Sequence, residues 1–189
     1  KIYNSLPEEY KDSYYQLVLH PVEACSNLNE LYVTTGLNYL YAEQERVNTN
    51  KEAEKVKALF EHDSIITDYY NHKLANGKWN HMMDQTHIGY TNWQQPDFNS
   101  MPQVKYYTPA DDPVMGAVVE GSGKWYPADK SGLELPVFDS FNNQTYYIDV
   151  FNSGSKPFDY FAARFADYIN VSSNKGTVTH EVRLYVSND

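Results

Sequence analysis

The sequence predicts an α+β protein: an N-terminal helical bundle followed by an antiparallel β-sandwich, the latter expected to be cut short. Three observations carry this reading. Before residue 100, helix-forming residues dominate and Gly stands only at 36, 77 and 89. After it, Pro, Gly and Ser punctuate short runs rich in Val, Tyr and Phe. Those runs alternate with period two, as where Val182, Leu184 and Val186 interleave with Arg183 and Tyr185. The expected division is a helical domain over 1–95, a packed connector over 96–112 and a β-sandwich domain over 113–189. A chain of 189 residues is long enough to bury a core in each part.

A first helix is expected from Pro7, a residue suited to the first turn. Glu8 and Glu9 follow where the helix dipole favours negative charge. Tyr10, Tyr14, Leu17 and Val18 recur along it at helical spacing. His20-Pro21 should kink or break it, because proline lacks an N–H and biases its predecessor away from the α region. A second helix restarts at Pro21 and runs to about Gln44, with Leu28, Leu31, Tyr32 and Thr35 on one face and Leu40 close to it. A third follows Asn48, a residue able to cap it. It sets Ala53, Val56 and Phe60 on one side, continued by Ile66, Tyr69, Tyr70 and Leu74. Asn76-Gly77 tolerates left-handed backbone and should end it. Six strands are expected at 115–120, 135–138, 146–151, 158–165, 168–171 and 182–186. Turn signals part them: Gly121-Ser122-Gly123, Asn142-Asn143, Ser153-Gly154 and Asn174-Lys175-Gly176.

Composition excludes several classes. Lys plus Arg number 15 and Asp plus Glu 25, a formal charge of −10 shared by both halves. With no basic run, neither nucleic acid nor an anionic membrane surface is an expected partner. No apolar run approaches the ~18 residues of a membrane span. Cys25 stands alone, which excludes an internal disulfide framework and a multi-Cys zinc site. It falls on the expected core face of the second helix and reads as a small buried hydrophobe. The chain starts at Lys1 without a leader and stops directly after a strand-like run, so it reads as a piece of a larger protein.

Residues 79–98 read WNHMMDQTHIGYTNWQQPDF and contain no Lys, Arg or Glu. Three readings compete. His81, Asp84 and His87 at three-residue steps could share a helical face and ligate a metal. Trp79, Tyr90 and Trp93 could stack on sugar rings while Gln94, His and Asp groups bond hydroxyls. In the preferred reading the segment is a packed joint, with buried His, Asp and Gln satisfying one another and the backbone. His20 and His62 read as ordinary helical polar positions, and His180 carries no functional argument. Asp111, Asp112 and Glu120 could be imagined as a carboxylate pair for glycoside hydrolysis, but nothing sets their spacing, and they are not adopted.

The run from Gly77 to Tyr90, with Trp93-Gln94-Gln95-Pro96 and Met101-Pro102, resembles a stretch toward the C-terminal side of glycoside hydrolase family 115, the xylan α-1,2-glucuronidases. Leu19-His20-Pro21-Val22-Glu23-Ala24 and Asn27-Leu28-Asn29-Glu30-Leu31-Tyr32 resemble the helical region before it. Pro157-Phe158-Asp159, Tyr168-Ile169-Asn170-Val171-Ser172, Gly176-Thr177-Val178 and Arg183-Leu184-Tyr185-Val186-Ser187 resemble the opening of the family's C-terminal β domain. Asn92 and Asp97-Phe98 depart from the commoner wording. The resemblance implies that the catalytic carboxylates lie on an upstream α/β barrel. No βα repeat occurs here, so no catalytic residue is assigned. It further implies a non-catalytic fragment of a secreted or periplasmic hydrolase without cofactor or metal. Its partners would be the barrel domain, glucuronoxylan through the parent, and a second copy as a homodimer. Substrate contact would fall to Trp79, His81, Asp84, His87, Tyr90, Trp93 and Gln94. The alternative is a freestanding carbohydrate-binding or adhesion module using the aromatic joint or the sandwich face.

Overall fold

The computed structural model describes residues 1–139 and 141–188. It is mixed α+β, with two long helices, a five-stranded antiparallel sheet and a small second sheet. The chain forms two compact units. One comprises Lys1–Asn38 and Glu52–Val104; the other comprises Tyr39–Lys51 and Lys105–Asp189.

The helical elements are α1 (Ile2–Ser5), α2 (Glu8–Tyr14), a π-helical turn (Tyr15–Leu19), α3 (His20–Glu43) and α4 (Thr49–Asp68). A second π-helical turn (Tyr69–Lys73) and a 3-10 turn (Leu74–Gly77) follow. The break expected at His20-Pro21 does not occur: His20 keeps helical angles of φ −57° and ψ −49°. The wide turn sits directly before Pro21, where an α-helical ladder would ask for the missing N–H and press the ring on the Leu17 carbonyl. The extra residue in that turn also rotates the buried face. Tyr15 is buried, while Tyr10, Leu17 and Val18 of the expected face are exposed. At the far end, Ala75, Asn76 and Gly77 all take positive φ and stop the helix, as Asn76-Gly77 predicts.

Two cores lie in this unit. Tyr15, Tyr70 and Leu74 form one, with Tyr3, Leu19, Tyr69, Trp79 and Met83 against it. The Tyr15 and Tyr69 rings meet edge-on with centroids 4.7 Å apart. Leu31, Val56 and Ile88 form the other, joined by Leu28, Leu59, Phe60 and Val104. The buried stripe of α3 is more polar than expected: His20, Asn27, Leu31, Thr34 and Asn38. Tyr32 and Leu40 are exposed. Cys25 is exposed too, which corrects its expected burial.

In the other unit the strands are β1 (Met115–Val119), β2 (Trp125–Tyr126), β3 (Thr145–Asn152), β4 (Phe158–Phe161), β5 (Ile169–Val171), β6 (Lys175–Val178) and β7 (Glu181–Asn188). The larger sheet runs β2-β1-β3-β7-β5, and β4 pairs with β6. Val150 faces Val182 and Ile148 faces Leu184 across the β3–β7 ladder. Val150, Val178 and Leu184 then form a core with Phe158, Tyr160 and Val171, so the two sheets share one apolar face. The strand expected at 135–138 is absent, because Pro136 cannot donate to a ladder. Phe138 instead meets the Tyr146 ring edge-on at 4.8 Å. Conversely, 174–176 reads as a turn but opens β6. Gly176 pairs with Tyr160, whose ring lies 2.8 Å from where a β-carbon would sit.

Residues 39–51 are tied to this sheet by Arg46. Its guanidinium is buried between the Tyr41 and Phe151 rings, 4.5 and 4.2 Å from their centroids. It donates from Nη1 to Glu181 at 3.1 Å, from Nε to Gln44 at 2.7 Å, and lies 3.9 Å from Asp149. The Val47 N–H donates to the Asn152 carbonyl at 3.0 Å. Arg183 grips Asp149 with two bonds of 2.7 and 2.9 Å.

Candidate functional site

The 79–98 segment lies in the helical unit and has little regular structure, yet its base is fixed. Asn71, buried in the second π-helical turn, accepts the Met83 N–H at 2.9 Å and donates to Asp84 at 2.8 Å. Asn99 Oδ1 accepts the His87 and Ile88 N–H groups at 2.8 and 2.9 Å. The Ser100 N–H returns to the Ile88 carbonyl at 3.2 Å, and Ile88 is fully buried. Side-chain amides thus replace the ladder a strand or helix would supply.

Between these anchors the His87 ring reaches α4. Its Nε2 lies 2.8 and 2.9 Å from the two oxygens of Asp63, and its Nδ1 lies 2.9 Å from the Gln85 carbonyl. Both nitrogens face acceptors, which suits an imidazolium that donates from each. The Asp63 carboxylate accordingly holds the His87 pKa above its ordinary value, against the opposing effect of burial and with help from the Gln85 carbonyl. Asp63 itself has a side chain only 4% exposed.

A cavity of about 370 Å³ opens beside this pair, lined by His20, Ala24, Asp63, Ile66, Thr67, Met82, Met83, Gln85, Thr86, His87 and Tyr90. His20 is buried against the Tyr70 ring, with centroids 4.4 Å apart. Its pKa moves the other way: burial lowers it, Glu23 opposes this, and charge on His87 lowers it further. The two histidines of one cavity therefore favour opposite protonation states.

The remaining sequence candidates are dispersed around this cavity. Trp79 is half-buried on the tyrosine core, with the Lys78 ammonium 4.8 Å from its ring centroid. His81 takes φ +65° and is exposed, its Nδ1 2.6 Å from Asp84. Tyr90 is exposed at the cavity rim, its hydroxyl 3.5 Å from the Thr86 carbonyl. Gln94 is exposed, and its N–H donates to Asn92 at 2.8 Å. Trp93 is 100% exposed and Phe98 70%. Met101 and Tyr106 are exposed as well. The expectation that this aromatic stretch is covered is therefore corrected. The anchors satisfy the backbone without enclosing the rings.

His81 and His87 turn to different carboxylates. Among the described residues no three His, Cys, Asp or Glu side chains converge as a metal centre needs. Asp111 is engaged by Ser155 and Lys156, and Glu120 accepts the Tyr147 N–H at 3.0 Å. Sequence reading missed Asp63 and His20. The signal was present for Asp63: positions 53, 56, 60, 63, 67 and 70 share a helical face, and an aspartate in that apolar stripe needs a partner. No protein-family model and no curated protein matches this chain.

Proposed function

We propose that the chain is a non-catalytic part of a glycoside hydrolase resembling the xylan α-1,2-glucuronidases. In this reading it supports an upstream barrel domain and offers the 79–98 loop as a contact surface for glucuronoxylan. The observation that carries it is an ordered loop, anchored through Asn71, Asp63 and Asn99, that nevertheless holds Tyr90, Trp93 and Phe98 in solvent. Exposed aromatic area costs about 25 cal/mol per Å² relative to burial, and three exposed rings within nine residues of an anchored loop support a contact role. Flat rings stack on the C–H faces of pyranoses, and the amides beside them bond hydroxyls.

Affinity electrophoresis in gels containing glucuronoxylan tests the reading. Retardation of the purified chain that is lost in Trp93→Ala is the expected result, and equal mobility with and without the polysaccharide overturns the contact surface. Release of glucuronic acid by the purified chain overturns the non-catalytic assignment.

A second reading, a freestanding carbohydrate-binding module, draws on a groove of about 620 Å³ in the β unit lined by Phe161, Arg164, Asn170 and Ser172. Phe165 and Tyr168 are exposed beside it in sequence. Retardation lost in Arg164→Ala and kept in Trp93→Ala would favour this second reading.

A further inference from the structure

The tyrosines packed around Tyr15 also wall a second pocket of about 370 Å³ in the helical unit. Tyr3, Tyr15 and Tyr69 supply its aromatic sides. The Tyr15 plane lies at 67° to Tyr3 and at 62° to Tyr69, so the rings present faces in different directions instead of stacking flat. Leu19, Ile65 and Ile66 add aliphatic surface, and Glu23 is the carboxylate of the lining. Among the described residues its ion-pair contact is His62 Nε2 at 3.8 Å, too long for a hydrogen bond. Negative charge also reaches the rings. Burial holds the Tyr15 hydroxyl above its ordinary pKa, and the charge of Glu23 adds to it. For Tyr69 burial and the Tyr3 hydroxyl come first, and the charges of Asp12 and Glu8 add to them. Glu8 is met by Lys11 at 2.6 Å. Carboxylates that disfavour a tyrosinate favour a cation in the same place.

We propose that this pocket binds a quaternary ammonium head group. The face of a tyrosine ring is negative, and a cation held among such rings beside a carboxylate is attracted by both. The number of N–H groups decides between kinds of cation. A primary ammonium carries three donors, and the lining offers them one carboxylate among rings and aliphatic groups. Donors that Glu23 does not take would lose water without replacement. A quaternary ammonium has no N–H to satisfy, and its methyl groups suit Leu19, Ile65 and Ile66. The volume lies near the lower end of the about 300–1,000 Å³ range of small-molecule sites, which fits a compact head group. Ile65 is 60% exposed and so marks the open side of the pocket.

The test is titration of the full chain with choline, followed by ¹H–¹³C correlation of the tyrosine rings. Dimethylbutanol, the uncharged carbon isostere of choline, and ethanolamine, its primary amine counterpart, are titrated in parallel. Saturable shifts of the Tyr3, Tyr15 and Tyr69 ring signals are expected with choline, and about tenfold weaker binding with the isostere. Ethanolamine should also bind more weakly than choline. Glu23→Gln keeps a polar group beside Tyr15 and removes the charge. It should weaken choline about tenfold and leave the isostere unchanged, while melting within a few degrees of the parent. Ile65→Arg places a tethered cation at the open side and should abolish choline binding, which keeps the test open if Glu23→Gln does not fold. The proposal is overturned if no saturable shift appears, if the isostere or ethanolamine binds as tightly as choline, or if either variant binds choline like the parent.

Discussion

Two histidine–aspartate pairs stand on the same loop, and the shorter one is the weaker. His81 and Asp84 approach to 2.6 Å, with side chains 78% and 53% exposed. His87 and Asp63 approach only to 2.8 Å, but their side chains are 36% and 4% exposed. At the surface, water screens the attraction and two mobile side chains lose freedom, so such a pair contributes about 0–1 kcal/mol. The Asp63 side chain is almost wholly withdrawn from solvent, so removing His87 strands a buried carboxylate. Desolvation ranks the two pairs; distance does not.

Breaking the buried pair should have the largest effect. His87→Ala is expected to destabilise the helical unit by about 2–4 kcal/mol, read by urea unfolding. A loss under about 0.5 kcal/mol, the size of an ordinary surface substitution, would mean the two pairs are equivalent after all. Asp84→Ala comes next, at about 1 kcal/mol. It acts not through His81 but through Asn71, whose buried amide would lose its acceptor. Asn71→Ala in the same background should then cost less than it does alone, as a double-mutant cycle would show.

The third expectation concerns pH. His87 has its folded pKa raised above 6.5, so the stability it contributes is complete below about pH 6.5 and fades as pH rises through the raised value. His20 has its folded pKa lowered, so its contribution is complete above about pH 6.5 and is lost as pH falls through the lowered value. The two slopes oppose one another in the parent. Between about pH 5 and 8, His87→Gln should leave only the acid-side decline in Tm and His20→Gln only the alkaline-side decline; matching profiles would refute the assignment. The smallest effect belongs to the exposed pair. His81→Ala should stay within about 0.5 kcal/mol, and a larger loss would show that its left-handed backbone depends on the Asp84 contact.

Much of the fold is legible because its signals are local. Thr49 directly follows the expected cap, positive φ at Asn76 and Gly77 ends the helical run, and the alternation over 182–186 reappears in β7. What escaped depends on distant neighbours. Pro21 reads as a breaker because the pattern carries no sign that a π-helical turn will absorb it. Gly176 reads as a turn residue because the Tyr160 ring that excludes a side chain there is sixteen positions earlier. The site divides the same way. The loop that bears His87 is visible in the sequence as a charge-poor aromatic run. Its partner Asp63 lies in a helix, 24 residues away, and only the three-dimensional path brings them together.

Arg46 has a consequence in time. It meets Glu181 across 135 positions of sequence, and at about 5–20 residues per second the ribosome needs roughly 7–27 s to make that stretch. For most of that interval neither Asp149 nor Glu181 has been made to pair with the guanidinium. Every residue of the helical unit is made before the first strand of the β unit. Translation order therefore lets the helical unit assemble first, and the β unit closes last around Arg46.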